Sequence, residues 1–347
     1  MRLLTGPSKV VEPMLSTQLL RNWVEDAVRV RLQNHPLLRP LILAYFVTFR
    51  CNLRCLYCDY ASQEYAARYP DAPTAEAMAI LRICREGVPA VAFSGGEPLL
   101  RDDIVELLRF ARSVDYRPIS LFTNSLMLPQ REQVLDYIDF LQVSLDTLNG
   151  VKQDALCGRP GVGSCVKENI ERYARMQTRK HFRMNINAVI GVHNLDEVPV
   201  LLDFARRNDV RLTVCPQLDE KGEPIPALRT GETAARYSRA IQALVDRKPK
   251  DRVILDLMPF LMHIAAFRSF RCFPALAPRV YPDGTFIYPC PRLSRRNLKV
   301  LQLGSWRWLI EAAGEGDGVC EGGCFLPCFL ETSLLVTHPF SAVRELT

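Results

Sequence analysis

The chain predicts an α/β fold built on a parallel sheet, and three observations carry that expectation. Between residues 41 and 215, β-type apolar runs alternate with helical runs, strand after strand. Short polar or glycine-bearing stretches follow the strand runs, where ligands gather in β/α arrangements. The alternation then stops after residue 245, and the remaining segment is rich in cysteine. We therefore divide the chain into a lead-in helix over 1–39, a main β/α unit over 40–245 and a small α+β unit over 246–347.

In the lead-in, Leu20, Trp23, Val24, Ala27 and Val28 fall on one face at helical spacing, with Ser16 as cap. This predicts a helix packed under the main unit. Arg21, Arg29 and Arg31 with a Trp on the apolar side also suit a helix touching an anionic membrane. Strand signals follow at Leu41–Thr48, Ala90–Ser94, Pro118–Thr123, Phe140–Leu145, Phe182–Ile190 and Val210–Cys215. Helical stretches lie near Thr74–Glu86, Ile104–Arg112, Gln130–Tyr137, Ser164–Met176 and Leu195–Arg207. Such alternation implies parallel pairing through right-handed crossovers.

The most informative residues follow the first strand: Cys51, Cys55 and Cys58, in Cys51-Asn52-Leu53-Arg54-Cys55-Leu56-Tyr57-Cys58. A four-iron four-sulfur cluster usually takes a thiolate on each iron. Three thiolates on one loop leave one iron open to another ligand. A zinc or structural site could use the same thiolates. The spacing C-x3-C-x2-C, with Tyr57 before the last Cys, resembles the radical S-adenosylmethionine (radical SAM) superfamily. The resemblance covers roughly residues 40–220 and implies a partial (β/α)6 TIM-like barrel. It further implies that Cys51, Cys55 and Cys58 hold a [4Fe-4S] cluster whose open iron chelates SAM.

The other strand ends extend the likeness. Gly95-Gly96-Glu97-Pro98, after the second strand, is similar to the family's run that contacts the SAM amino group; the two glycines leave backbone free for close approach. Thr123-Asn124 resembles the polar end of the third strand, with Ser125 where the family has Gly. Ser144 and Asp146 resemble the end of the fourth, beside the SAM ribose and carboxylate. Arg159, in Cys157-Gly158-Arg159-Pro160-Gly161, is assigned by resemblance to the SAM carboxylate. Asn187 is either a SAM-facing polar residue or a buried structural one. Cys84, Cys165 and Cys215 read as core residues, and Cys157 is left unassigned.

Five more cysteines, Cys272, Cys290, Cys320, Cys324 and Cys328, lie in the last hundred residues. Asp283-Gly284 predicts a hairpin turn between Cys272 and Cys290. A Cys, a hairpin, a Cys and a downstream Cys cluster resemble the SPASM and Twitch extensions, which bind auxiliary iron–sulfur clusters. The spacing from Gly284 to Cys290 is one residue longer than usual, and fewer cysteines remain than a full SPASM extension needs. One auxiliary Fe–S cluster is expected, on Cys272, Cys290 and two or more of Cys320, Cys324 and Cys328, with the spare left open. A zinc knuckle is the alternative.

Composition narrows the function. Twelve cysteines without a secretory signal point to reduced thiols and metal. A net charge of +6 without aromatic–basic alternation argues against nucleic acid. The expected location is cytoplasmic, with a peripheral contact at the inner membrane surface left open. The resemblance implies reductive SAM cleavage to a 5′-deoxyadenosyl radical, an electron from a flavodoxin- or ferredoxin-like donor, and oxidation or bond formation at an unactivated C–H bond. A peptide is one expected substrate class, although the lead-in is short for a fused leader-binding domain. A lipid or isoprenoid-like molecule is the other, with Phe329, Leu330, Leu334, Leu335 and Val336 as an apolar tail. An iron–sulfur electron carrier or assembly scaffold without SAM chemistry is the competing class.

Overall fold

A computed structural model describes residues 16–33, 38–58, 60, 62–294, 296–313, 320 and 323–346. Six parallel strands form its centre: β1 (Ile42–Thr48), β2 (Ala90–Gly95), β3 (Ile119–Thr123), β4 (Phe140–Ser144), β5 (Arg183–Ile190) and β6 (Arg211–Pro216). They lie side by side in chain order, so each crossover moves one strand along. The sheet does not close: β6 is one edge, and β1 is continued by β7 (Arg279–Val280), β8 (Thr285–Ile287) and β9 (Leu298–Lys299). This is the expected α/β architecture, a partial barrel.

Alternation along the strands sets the two faces. On β5, Met184, Ile186, Ala188 and Ile190 are buried in the main core, whereas Asn185 and Asn187 point the other way. The helices Thr74–Arg85, Ile104–Ser113, Val162–Ala174 and Val198–Arg207 cover the apolar face with residues such as Ile80, Leu107, Ile170 and Leu201. The polar face is left for chemistry.

One predicted helix is not formed. The segment 130–137 is two short 3-10 turns, Leu128–Gln130 and Glu132–Asp136. Pro129 supplies no N–H, and the adjacent pair Val134 and Leu135 is all the segment buries beyond Leu128, too little to hold a longer helix.

The lead-in helix spans Thr17–Leu32 and is capped as expected, with Leu19 N–H donating to Ser16 Oγ at 3.1 Å. Its facing differs from the expectation. Trp23, Ala27 and Val30 pack inward, while Leu20, Val24 and Val28 are exposed. Buried Asp26 sets this rotation: it accepts from Arg39 N–H at 3.0 Å and Arg29 Nη1 at 3.1 Å, fastening the helix to the chain entering β1. Burial pushes that carboxyl up to about 6. Trp23 Nε1 donates to the Leu335 carbonyl at 2.8 Å, so the Trp anchors the helix to Pro327–Thr337.

The Asp283-Gly284 turn is present, with Gly284 at φ +76° and its N–H donating to Tyr281 O at 2.9 Å. The hairpin it makes joins the main sheet: β7 pairs parallel to β1, opposing Arg279 to Ala44. One core runs from the barrel helices through Val280 and Phe286 to Phe329 and Leu330. The boundary expected at 245 falls inside the helix Gly231–Arg247. Among the described residues no helix is long and apolar enough to cross a membrane.

Candidate functional site

The cysteine loop leaves the carboxyl end of β1 and is held from several directions by the strand ends around it. At β2, Gly96 N–H donates to Thr48 O and Glu97 N–H to Arg50 O, both at 2.8 Å. Any Cβ on Gly95 (φ +137°) or Gly96 would overlap the Thr48 or Arg50 carbonyls. These glycines are thus required by the chain's own backbone, because on their Cβ side the space is taken by the segment leading into the loop.

Glu97 is fully buried, and its carboxylate ties β2 to β3. It accepts from Leu99 N–H at 3.0 Å, Thr123 Oγ at 2.8 Å and Asn124 N–H at 2.7 Å. Burial nevertheless pushes it up to about 7. Pro98 starts the short turn that Glu97 caps. Asn124 Nδ2 reaches the loop, donating to Asn52 Oδ1 at 2.8 Å. Ser125, where the family has glycine, keeps a left-handed backbone at φ 63°, so the turn is preserved.

From β4 comes Asp146, buried, with Oδ1 accepting from Val189 N–H at 2.8 Å and Oδ2 from the Tyr57 hydroxyl. Burial pushes Asp146 up to about 6. Tyr57 thereby locks the loop's last turn, while Ser144 is exposed beside it. From the helix Gly150–Cys157, the Leu156 and Cys157 carbonyls accept from Leu56 and Arg54 N–H at 3.0 and 2.9 Å. Gly158 ends that helix at φ +67°, where a Cβ would meet Arg54 O at 2.8 Å. Arg159 Nη1 lies 3.4 Å from Asn52 O.

Cys51, Cys55 and Cys58 are all half-buried free thiols. Leu53 N–H donates to Cys51 Sγ at 3.4 Å, and burial pushes the Cys51 thiol up to about 11. Cys157, left unassigned from the sequence, also sits here. Its thiol hydrogen-bonds with Cys55 and accepts from Gln153 Nε2 at 3.2 Å. A cavity of about 360 Å³ lined by Cys58, Ser62, Glu64, Tyr65 and Arg68 opens beside the loop. Among the described residues, no three His, Cys, Asp or Glu side chains converge as ligands of a single ion would. A cubane differs in offering each thiolate its own iron, and three soft thiolates on one loop are the donor set that such a cluster takes.

Asn187 is half-buried on the polar face, where its Oδ1 accepts from Thr213 Oγ at 3.1 Å. Cys84 is a core residue as expected. Cys215 is buried too, but next to Asn187 on the polar face and close to Asp256 and Glu331. Asp256 is buried; its Oδ2 accepts from Val214 N–H at 2.8 Å and its Oδ1 has no protein partner among the described residues. Burial pushes Glu331 up to about 7.

The C-terminal cysteines form a second gathering. Cys272 and Cys320 exchange both backbone hydrogen bonds, at 2.8 and 3.0 Å, and their thiols touch. Cys324 lies close to Cys272, Cys290 and Cys320. Cys328 also lies within electrostatic reach of Cys324, and its Sγ accepts from Arg279 Nη2 at 2.9 Å. Arg279, only 4% exposed, also donates to the Tyr60 hydroxyl at 3.3 Å and lies over the rings of Phe329 and Phe46 at 4.7 and 5.6 Å. Among the described residues no carboxylate is within ion-pair distance of it. Residues 321 and 322 of the expected Gly-rich loop lie outside the described residues.

Comparison with known proteins yields consistent matches. Residues 45–205 match the Radical SAM superfamily. A GTP 3',8-cyclase of Marinobacter nauticus is 31% identical over 178 residues, covering 50% of this chain and 52% of that protein. An AdoMet-dependent heme synthase of Methanosarcina barkeri is 28% identical over 170 residues, covering 48% and 47%. The chain thus spans about half the length of the curated relatives it matches. Among solved structures, Streptococcus suis SuiB bound to precursor peptide SuiA superposes with a TM-score of 0.60 at 19% identity, over 88% of this chain and 76% of that one. Native anSMEcpe with bound AdoMet and Kp18Cys peptide gives 0.59 at 18% identity, over 88% and 99%. At these identities the likeness is one of fold.

Proposed function

We propose that this chain, whose residues 45–205 match the Radical SAM superfamily, is an enzyme that cleaves SAM reductively and oxidises a peptide substrate, with an auxiliary iron–sulfur cluster. The observation that carries the reading is the convergence of four strand ends on the loop bearing Cys51, Cys55 and Cys58. When bound, the cluster and SAM supply a 5′-deoxyadenosyl radical able to take hydrogen from an unactivated C–H bond.

The chain's own residues prepare that chemistry. Cys51, Cys55 and Cys58 would hold three irons. Cys157 and Leu53 N–H, placed against the Cys55 and Cys51 sulfurs, would temper their charge. Tyr57, Asn124 and Arg159 fix the loop through Asp146 and Asn52. Asn124, Ser144, Asp146, Arg159 and Asn187 offer hydroxyl, amide and charged groups for the SAM ribose and methionine ends. Gly95, Gly96, Glu97, Pro98 and Thr123 act one layer back, by positioning that rim.

In the second centre, Cys272, Cys290, Cys320 and Cys324 are our ligand set, and Cys328 is the spare thiol held by Arg279. A buried guanidinium lacking a carboxylate favours an anionic neighbour, which a four-thiolate cluster supplies. Peptide is preferred as substrate because two solved structures of like fold hold peptides, SuiA in one and Kp18Cys in the other. A flavodoxin- or ferredoxin-like donor would deliver the electron.

The test is anaerobic reconstitution, dithionite reduction and chromatography for 5′-deoxyadenosine. Cys55→Ala should abolish cleavage while the auxiliary iron stays bound. Persistent cleavage would remove the assignment, and deoxyadenosine rising with a lipid extract but not with peptides would replace the substrate.

A further inference from the structure

The lead-in helix carries an apolar stripe that its packing does not use. Leu20, Val24, Val28 and Leu32 repeat every fourth residue along Thr17–Leu32 and are 42, 56, 51 and 77% exposed. Leu32 ends the stripe beside Arg31, whose guanidinium lies 5.1 Å from the centre of the Phe340 ring, itself 76% exposed. Four large apolar side chains therefore form an outward strip, and the Arg31 guanidinium links it to a fifth, Phe340. The inward side of the same helix is satisfied by Trp23, Ala27, Val30 and Asp26, so the outer strip is not needed for folding.

The charges around the strip have one prevailing sign. Arg21 and Arg31 project from the same outward arc, and Arg29, Arg39 and Arg344 flank it. Glu25, tied to Arg21, Arg29 and Arg39, is the acidic residue at its margin, while Asp26 is buried beneath. A second copy of this face would set arginines against arginines. A surface of phosphate headgroups over acyl chains meets both features, with arginines on the phosphates and the apolar strip below them.

We propose that this face, formed by the outer side of Thr17–Leu32 and Phe340, seats the enzyme on an anionic bilayer. The strip lies parallel to the membrane plane as a peripheral contact, and its use is independent of what the catalytic site does. Snorkelling lets Arg21 and Arg31 reach the headgroups while their stems cover apolar surface.

The experiment is co-sedimentation of the full-length reconstituted protein with vesicles of phosphatidylcholine alone or mixed with phosphatidylglycerol. Binding is expected only with the anionic lipid, and should weaken several-fold on raising the salt. Val24→Asp with Val28→Asp should reduce it at least tenfold, and Arg21→Gln with Arg31→Gln several-fold, with iron content and helicity unchanged. Equal binding to neutral vesicles, or binding untouched by either double variant, overturns the proposal. So does absence of vesicle binding together with a dimer that Val24→Asp and Val28→Asp disperse. None of these readouts uses SAM cleavage, so their failure is separable from failure of the catalytic reading.

Discussion

Arg279→Met removes the buried guanidinium and fills its place with an unbranched apolar chain. In the wild type, Nη2 donates to Cys328 Sγ at 2.9 Å beside the auxiliary cysteines. Cys328 is the spare thiol, so Arg279 acts on the cluster through its charge; a unit charge about 5.5–11 Å away contributes about 1.5–3 kcal/mol at an effective dielectric constant of about 20. A positive donor stabilises the more negative, reduced cluster over the oxidised one. If that whole interaction is differential, at about 59 mV per tenfold for one electron, the midpoint potential should fall by ~60–130 mV. The assay is an anaerobic redox titration followed by electron paramagnetic resonance, with Cys55→Ala as background so that only the auxiliary signal is read. Iron content and thermal unfolding report whether the variant keeps its fold. A potential within about 20 mV of wild type, with iron retained, would refute the electrostatic role given to Arg279.

Tyr57→Phe removes one of the two donors that hold Asp146 and frees the turn before Cys58; SAM cleavage should fall at least about tenfold at unchanged iron content, the scale of a lost hydrogen bond to a carboxylate. Glu97 gives a pH signature. Its folded value of about 7 lies above the ordinary 4.5, so its contribution is fully present below 4.5 and is lost as pH rises through 7. Over that window wild type should lose about 3 kcal/mol more than Glu97→Gln in anaerobic urea unfolding, and parallel pH profiles would contradict this. Ser125→Gly relieves a left-handed φ of 63° and a buried hydroxyl oxygen that has no partner among the described residues. It should be about 1 kcal/mol more stable, read as a rise of a few degrees in Tm.

What could be read before folding was whatever repeats or clusters locally. Strand–helix alternation announced the six parallel strands, and the spacing of Cys51, Cys55 and Cys58 announced the loop between β1 and its neighbours. Strand-end polarity pointed to Glu97, Thr123, Asn124 and Asp146. Their actual partners were not legible, since Glu97 meets Asn124 and Tyr57 meets Asp146 only through the sheet's register. Cys157 stood near the expected SAM edge but could not be given a role, because its approach to Cys55 depends on where one short helix stops, at Gly158. Arg279 sits on a two-residue strand too short to show periodicity. The lead-in helix showed an apolar face but not its rotation, which a single buried carboxylate, Asp26, decides.

The most direct measurement is electron paramagnetic resonance of the dithionite-reduced protein before and after SAM is added. With Cys272, Cys290, Cys320 and Cys324 replaced by alanine, the remaining signal should belong to the cluster on Cys51, Cys55 and Cys58. Our account predicts that SAM changes the g values of that signal and that 5′-deoxyadenosine follows. A spectrum unmoved by SAM in a protein that retains its iron would contradict it.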